Sequence, residues 1–441
     1  MEKRPQNRPQ PHSAPASAEP VAGLAARMAA LKLLDAVVRR GESMDAISVN
    51  ATRGLSPADR ALAIAIANET CRHLVDLDGL IDSVTPQPLA PDIKARMVLR
   101  LALVQALVLH TPPHAASATA LPLVSGGPRR LVHGVFGALM RGHARLPITP
   151  SLPLNVAERW HSAWGDSMID GASVALASAP PLDLTLADPA ATDDWAARLG
   201  GVSLIPGHIR LDRGGNVTKL DGFTDGAWWV QDLAAALPAR LLGAGADRTV
   251  LDIGAAPGGK TMQLAAAGWT VTALDASERR LERLRENLAR THLTAEILRG
   301  DGRTLPVTRE WDAVLVDAPC TATGIFRRHP DVLHRIGDAD IANRAALQSL
   351  MLDAASGVVA HGGQLVFATC SLEPAEGEDV ITAFLDRHPY WRIDPVRPDE
   401  LPVGIAVAES GWVRITPPML ADHGGIDGFF MARLVLSLPF P

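Results

Sequence analysis

The chain has 441 residues, 47% of them hydrophobic and 20% charged, with three cysteines and a formal net charge of −6. At roughly 150 residues per domain this length predicts about three domains, or two and a connecting module. The composition excludes general disorder, a disulfide scaffold and a uniformly basic surface for polyanions, and so few thiols suit a reducing, cytoplasmic setting.

Residues 1–20 hold Pro5, Pro9, Pro11, Pro15 and Pro20 without an apolar signal segment, and read as a disordered tail. From residue 21 to 145 apolar positions recur at helical spacing: Leu24, Met28, Leu31, Leu34 and Val38 mark one stripe, and Val98, Leu101, Val104 and Val108 another. Ser56-Pro57 reads as an N-cap followed by proline at the first helical position, opening a helix that runs to about His73. Leu131, Val135 and Leu139 mark a last helix, while Pro86, Pro88, Pro91 and Pro112-Pro113 mark the breaks. The longest apolar stretch, near Leu99–Leu109, is shorter than the ~20 residues of a bilayer-spanning helix, so no membrane partner is expected.

Residues 146–247 read as a linker and a small α+β module. Pro147, Pro150 and Pro153 lead into a helix over Asn155–Trp164, and Leu182–Leu186 and Ser203–Ile205 read as short strands. Trp228, Trp229 and Gln231 then precede an apolar helix ending near Leu242.

Beyond residue 248 the rhythm becomes strand, loop, helix. Strands are expected at Thr249–Ile253, Thr270–Asp275, Ala295–Arg299, Asp312–Asp317 and Gln364–Cys370, with helices over Thr261–Ala267, after Ser277, and over Ala339–Val359. Phe429–Leu436 reads as a late strand with antiparallel pairing as an option. This alternation predicts an α/β, doubly wound parallel sheet with ligands at the carboxyl ends of its strands.

Four motifs fall where such a sheet puts its chemistry. Gly254, Ala255, Ala256, Pro257, Gly258, Gly259 and Lys260, followed by Thr261, form a glycine-rich loop between a strand and a helix. Taken literally it satisfies the phosphate-cradling pattern of triphosphatases, with Asp317 in the place of a magnesium-binding acid. Pro257 lacks the N–H such a cradle uses, and Asp275, ending the next strand, is where a nucleoside cofactor's ribose binds. Asp275 equally suits the N-terminus of the helix capped by Ser277. Asp301, in a Gly-Asp-Gly turn, is placed to reach an adenine amino group, although such turns are commonly just turns. Cys320 in Asp317-Ala318-Pro319-Cys320 and Cys370 in Ala368-Thr369-Cys370-Ser371 each follow a strand end on the same rim. Cys71, by contrast, reads as a small core residue. No zinc-type spacing is present, so no metal is expected, whereas a redox pair of Cys320 and Cys370 stays open.

In combination, Ala255–Thr261, Asp317–Gly324 with Arg327-Arg328-His329-Pro330-Asp331, Thr369–Glu373 and Asp427-Gly428-Phe429-Phe430 resemble the Sun/RsmB family of RNA cytosine-5 methyltransferases. The helical front resembles a NusB-type RNA-binding domain. The resemblance covers most of residues 21–441 and implies a Rossmann-like (class I) methyltransferase domain over 248–441 using S-adenosylmethionine. It implies small-subunit ribosomal RNA as partner, at a site of the cytosine 967 type, with transfer RNA or another ribosomal site as the alternative. It further implies Cys370 as the nucleophile, Cys320 as the residue that assists product release, and Asp317 beside the pyrimidine and the reacting methyl. The family loop usually begins with cysteine where this chain has Gly254, but that cysteine is not one of the reactive two. Arg327, Arg328 and His329, next to the Cys320 loop, are expected to hold RNA phosphates. Arg279, Arg280, Arg283 and Arg285 suit a solvated helix face equally well, and Trp228 and Trp229 suit core packing better than base stacking. A monomer is expected.

Overall fold

The computed structural model describes residues 22–177, 179–212, 215–305 and 309–436. The tail expected over residues 1–20 lies outside the described residues. Seven helices make up the front: α1 (Leu24–Arg40), α2 (Met44–Ala51), α3 (Pro57–Arg72), α4 (Leu74–Ser83), α5 (Lys94–Leu107), α6 (Pro113–Ala120) and α7 (Gly126–Arg141). The Ser56 side chain accepts from the Asp59 N–H and Pro57 opens α3, as the sequence predicts. Helix α5 is apolar on nearly all sides and is buried on all of them, with Val98, Leu101 and Val104 at the centre of the bundle. Its two buried cations, Arg96 and Arg100, are neutralised by Asp78 and Asp82 of α4 at 2.7–2.9 Å.

The register of α1 differs from the expected stripe. Its buried face is Ala26, Ala29, Ala30, Leu33, Leu34 and Val37, whereas Met28 is 48% exposed. Alanines let α1 approach α3, where Ala63 and Ala67 face the same cluster. A reading weighted toward large side chains therefore rotates the helix.

The middle segment holds α8 (Leu154–Trp164), α9 (Asp166–Leu176) and a small antiparallel sheet. In that sheet β1 (Leu182–Leu186) lies between β2 (His208–Leu211) and β3 (Trp228–Val230), with α10 (Thr192–Leu199) alongside. The expected strand at Ser203–Ile205 is not formed; His208–Leu211 takes that place. His208 and Arg210 on β2 are buried because both face Asp183 of β1, so the strand does not look apolar. Helix α11 (Leu233–Arg240) follows, capped by Asp232.

The rest is a sheet flanked by helices: β4 (Thr249–Ile253), α12 (Gly259–Ala266), β5 (Thr270–Asp275), α13 (Glu278–Thr291), β6 (Glu296–Arg299), β7 (Trp311–Asp317), α14 (Asp338–Ser356), β8 (Val359–Thr369), α15 (Glu378–Arg387), β9 (Trp391–Ile393), β10 (Val413–Ile415) and β11 (Phe429–Leu436). The order is β10-β11-β8-β7-β4-β5-β6, with β9 also paired to β11. Strands β4 to β8 run parallel; β9, β10 and β11 pair antiparallel, so the sheet is mixed rather than wholly parallel. Alternate residues of the central strands feed two cores. Val250, Leu315 and Val366 face α11 and α12, while Leu251, Val314 and Phe367 share a core with Met351, Leu352 and Phe384 of α14 and α15.

The chain runs outward from β4 through β5 to β6, then returns to the other side of β4 as β7. That reversal opens a crevice at the carboxyl ends of β4 and β7. Registers Ile253↔Val316, Asp317↔Ala368 and Phe430↔Thr369 bring the end of β8 and the start of β11 onto the same rim.

Front and sheet meet at residues 327–335. Arg72 of α3 donates to the Leu176 carbonyl at 2.5 Å and to the Arg327 carbonyl at 3.1 Å. The Met44 N–H donates to Asp331, and the His334 ring lies 2.6 Å from the Cys71 carbonyl. Arg72→Met keeps the stem and removes the guanidinium, leaving two buried carbonyls unpaired; it is expected to cost about 2–3 kcal/mol. The check is the urea midpoint of unfolding, and an unchanged midpoint would mean this junction does not hold the halves together.

Candidate active site

The cofactor-type loop is shaped by two close approaches. Gly254 sits at a left-handed φ of 80°, and a Cβ there would fall 2.3 Å from the Asp317 carbonyl oxygen. The Gly254 and Ala255 N–H groups both donate to the Leu274 carbonyl, tying the loop to β5. Gly258, at φ 110°, turns the chain into α12.

Helix α12 then delivers Lys260 and Thr261 inward. Lys260, 8% exposed, donates to Asp317 at 2.8 Å, and its ammonium stands 5.4 Å from the Phe429 ring centroid. Burial opposes its charge, but Asp317, with smaller help from Asp252 and Cys370, keeps its pKa above the ordinary lysine value. Thr261 donates to Asp252 at 2.6 Å. Both residues that a phosphate cradle would turn toward phosphate and magnesium are thus engaged with carboxylates inside the domain.

Between the ends of β4, β5 and β6 lies a cavity of about 310 Å³, bordered by Gly254, Asp275, Asp301, Gly302 and Met351. Asp275 accepts from the Ser277 N–H at 2.9 Å and the Ala256 N–H at 3.3 Å, and pairs with Arg280 at 3.1 Å. It therefore serves helix α13 and the cavity at once. Arg303, through its side chain and its N–H, holds the Asp301 carboxyl down at about 2. A Cβ at Gly302 would lie 2.7 Å from Ile253, so side-chain bulk is excluded there. Asp275 and Asp301 thus border the cavity with glycines at 254 and 302 beside them.

The two cysteines meet just beyond the ends of β7 and β8. Their Sγ atoms are 3.4 Å apart, both as free thiols, well beyond the ~2.05 Å of a disulfide. The contact with Cys370, then burial, then the charges of Cys370 and Glu376 raise the Cys320 pKa well above the ordinary thiol value. The Lys260 cation lies within electrostatic reach of Cys370.

The loops holding the thiols are laced through their backbones. The Gly324 N–H donates to the Cys370 carbonyl at 3.0 Å, and the Gly428 N–H to the Gly324 carbonyl at 2.9 Å. A Cβ on Gly324 would lie 2.0 Å from the Gly428 oxygen. Phe429, Glu376 and Gln348 also belong to this region. Phe429 was legible only as part of a family motif, and Glu376 and Gln348 gave no signal of their own.

The cationic triplet does not present three charges to solvent. Arg327 is buried and donates to the Gly424 carbonyl, with Asp427 at 3.6 Å. Arg328 pairs with Asp232 at 2.8 Å and Asp427 at 3.1 Å. Their expected phosphate contacts are corrected accordingly: both fasten the segment before β11. His329 is more open and lies 3.3 Å from Asp45 of α2. Trp228 and Trp229 are buried, as core packing predicts.

The family model for 16S rRNA methyltransferase RsmB/F matches residues 239–435, and that for the NusB family matches residues 24–135. A ribosomal RNA small subunit methyltransferase B from Sodalis glossinidius is 34% identical over 437 residues, covering 93% of this chain and 97% of its own. The protein of the same description from Cronobacter sakazakii is 31% identical over 435 residues, covering 93% and 98%. A solved methyltransferase homologue from Pyrococcus horikoshii superposes with a TM-score of 0.54 at 26% identity, covering 64% of this chain and 94% of its own. Another solved chain shares the fold over 95% of this one and 99% of itself, with a TM-score of 0.72 at 23% identity.

Asp252, fully buried beneath the loop, supplies a test of this electrostatic arrangement. Burial pushes its carboxyl up to about 7; Asp317 and Asp275 act in the same direction, against Thr261 and Lys260. A group protonated more readily folded than unfolded, where its pKa is about 3.9, adds stability below pH 4 that is lost as pH rises toward 7. Asp252→Asn keeps an acceptor for Thr261 and lacks this loss. The stability of wild type minus variant is therefore expected to fall between pH 5 and pH 8 in urea titrations; an equal difference at both would contradict the buried-acid assignment.

Proposed function

We propose that this chain, which belongs to the RsmB/F family of 16S rRNA methyltransferases, methylates the 5-position of a cytosine through a covalent bond between Cys370 and the base. The observation that carries this reading is the 3.4 Å contact of two thiols on neighbouring strand-end loops, in a sheet whose strand ends also border a nucleoside-sized cavity. Carbon 5 of cytosine is a weak nucleophile, and the addition of a thiolate to carbon 6 makes the ring enamine-like. S-adenosylmethionine, when bound, supplies the methyl group from its sulfonium.

The residues then divide the work. Gly254, Ala255, Ala256, Pro257, Gly258, Gly259 and Lys260 shape the cofactor loop, with Asp275 at the ribose and Asp301 at the adenine rim. Asp317, fixed by Lys260, faces the pyrimidine edge and the reacting methyl. Cys370 attacks carbon 6. After methyl transfer a base removes the carbon 5 proton, Cys320 assists, and the Cys370 sulfur leaves. The target base must be unstacked to reach this rim.

In this reading residues 21–145 form a NusB-like unit that positions RNA, 146–247 a connecting module, and 248–441 the methyltransferase domain. The substrate is small-subunit ribosomal RNA, at a cytosine of the 967 type. His329, at the edge of α2, is the member of the cationic triplet left to meet it.

Two experiments test the proposal. Calorimetry is expected to show S-adenosylmethionine binding that Asp275→Ala weakens by about 10–100-fold, the loss of one or two hydrogen bonds to a charged group; binding of magnesium-ATP instead would overturn it. Cys370→Ala is expected to lower turnover at least about a thousandfold without loss of cofactor binding. Cys320→Ala is expected to allow attack and transfer but stall release, so that a denaturant-resistant protein–RNA adduct accumulates on gels. An adduct from Cys370→Ala but not from Cys320→Ala would reverse the roles, and none from either would leave no covalent step.

A further inference from the structure

One buried carboxylate touches both cysteine loops. Glu376 has no exposed surface. Its Oε1 accepts from the Thr321 N–H at 2.9 Å and from Gln348 Nε2 at 3.1 Å. Its Oε2 accepts from Ser371 Oγ at 2.6 Å and from Thr321 Oγ1. Thr321 immediately follows Cys320, and Ser371 immediately follows Cys370. The Glu376 carbonyl also accepts from Thr369 Oγ1 at 3.0 Å, one residue before Cys370. Gln348 in turn donates to the Pro319 carbonyl at 3.1 Å, one residue before Cys320.

Besides the direct bonds between the two thiol-bearing loops, this one side chain accepts hydrogen bonds from both of them at once. A carboxylate has four lone-pair positions, and all four are met here by donors. Among the described residues Glu376 has no ion pair with a cation, so it does not serve to neutralise a buried charge. Its side-chain acceptors are met by Thr321 and Ser371, each flanking a thiol, and by Gln348, which also holds the Pro319 carbonyl.

We propose that Glu376 is the positioning residue that sets the spacing of the Cys320 and Cys370 thiols. The proposal rests on the reading of these cysteines as the reactive pair. It also accounts for an asymmetry between them. The Glu376 charge adds to the effects of Cys370 and burial in raising the Cys320 pKa, so the fixed carboxylate favours the proton on the Cys320 sulfur. Burial pushes the Glu376 carboxyl itself up, against the pull of Ser371, Thr321 and Gln348.

Glutamine is the sharp substitute. Its amide offers one acceptor oxygen and an NH₂ group, so half of the donors around position 376 would face another donor. Alanine removes all four acceptor positions. Thr321→Val removes a single hydroxyl donor with little change of shape.

The test uses the full-length protein and diamide, a diazene oxidant. Two thiols lose their hydrogens and form an S–S bond, and both hydrogens with two electrons pass to the N=N bond, giving the hydrazine. Disulfide formation between Cys320 and Cys370 is followed by intact mass and peptide mapping; Cys71, buried in the front core, is not its partner. With folding checked by circular dichroism, Glu376→Ala is expected to slow this reaction at least about tenfold and to lower kcat on an unmodified 16S rRNA transcript by about a hundredfold, the scale of a 1 Å misplacement. Cofactor Kd and the KM for RNA should change by less than about twofold. Glu376→Gln should fall between alanine and wild type, and Thr321→Val should show a smaller slowing even if neither Glu376 variant folds. Diamide rates equal to wild type in the folded variants would overturn the proposal, as would slowed crosslinking with kcat intact. A wild-type protein that methylates no RNA would instead sink the proposed function, while the diamide comparison would still decide the positioning.

Discussion

A lysine ammonium cannot remain buried without a partner, and Lys260 has one position in which to find it. Asp317 must end β7 beside β4, so the crevice where the strand order reverses is also where the pair forms. The glycine at 254 follows from the same constraint, because the loop passes over the Asp317 carbonyl at a distance that leaves no room for a Cβ. Phe429 lies under the ammonium and brings the antiparallel β11 to the rim. The glycine-rich loop, Asp317 and the C-terminal strand are thereby set by one ion pair.

Around that pair the polar groups are arranged in layers. Glu373 accepts from Trp160 Nε1 of α8 and meets Arg159, so the small helices of the middle segment grip the chain just after Cys370. Arg414 of β10 pairs with Glu378 and donates to the Ser371 carbonyl, gripping the same chain from the other side. Glu376 stands between the two grips. A segment with so many satisfied donors resists rotation, which a nucleophile on a loop needs more than one on a strand.

The regular parts of the sheet were legible because their causes are local. Period-two burial, Ser277 as a cap and Ser56-Pro57 at a helix start depend on near neighbours. The two cysteines were legible as rim residues because each follows a strand, and their meeting followed from the parallel pairing of β7 with β8. What escaped depends on partners far away in sequence. Strand β2 looked polar because His208 and Arg210 are buried only in the presence of Asp183. Arg327 and Arg328 looked like phosphate ligands because Asp232 and Asp427 lie about a hundred residues from them on either side. Glu376 carried no signal of its own for the same reason, since its partners Thr321 and Gln348 are distant in sequence.

The segment from Gly324 to Arg335 ties the two halves of the molecule together mechanically. At one end Gly324 is bonded to Cys370 and Gly428. At the other, Asp331 and His334 hold the backbone of α2 and α3, and the Arg327 carbonyl is held by Arg72. Only a few residues separate these anchors, and none of the connections runs through a long exposed side chain. Rotation of the helical front relative to the sheet would therefore have to break buried hydrogen bonds beside the thiols, each costing about 1–3 kcal/mol if left unpaired. The helical front and the cysteine rim are thus held in one fixed relative orientation, without a long loop between them.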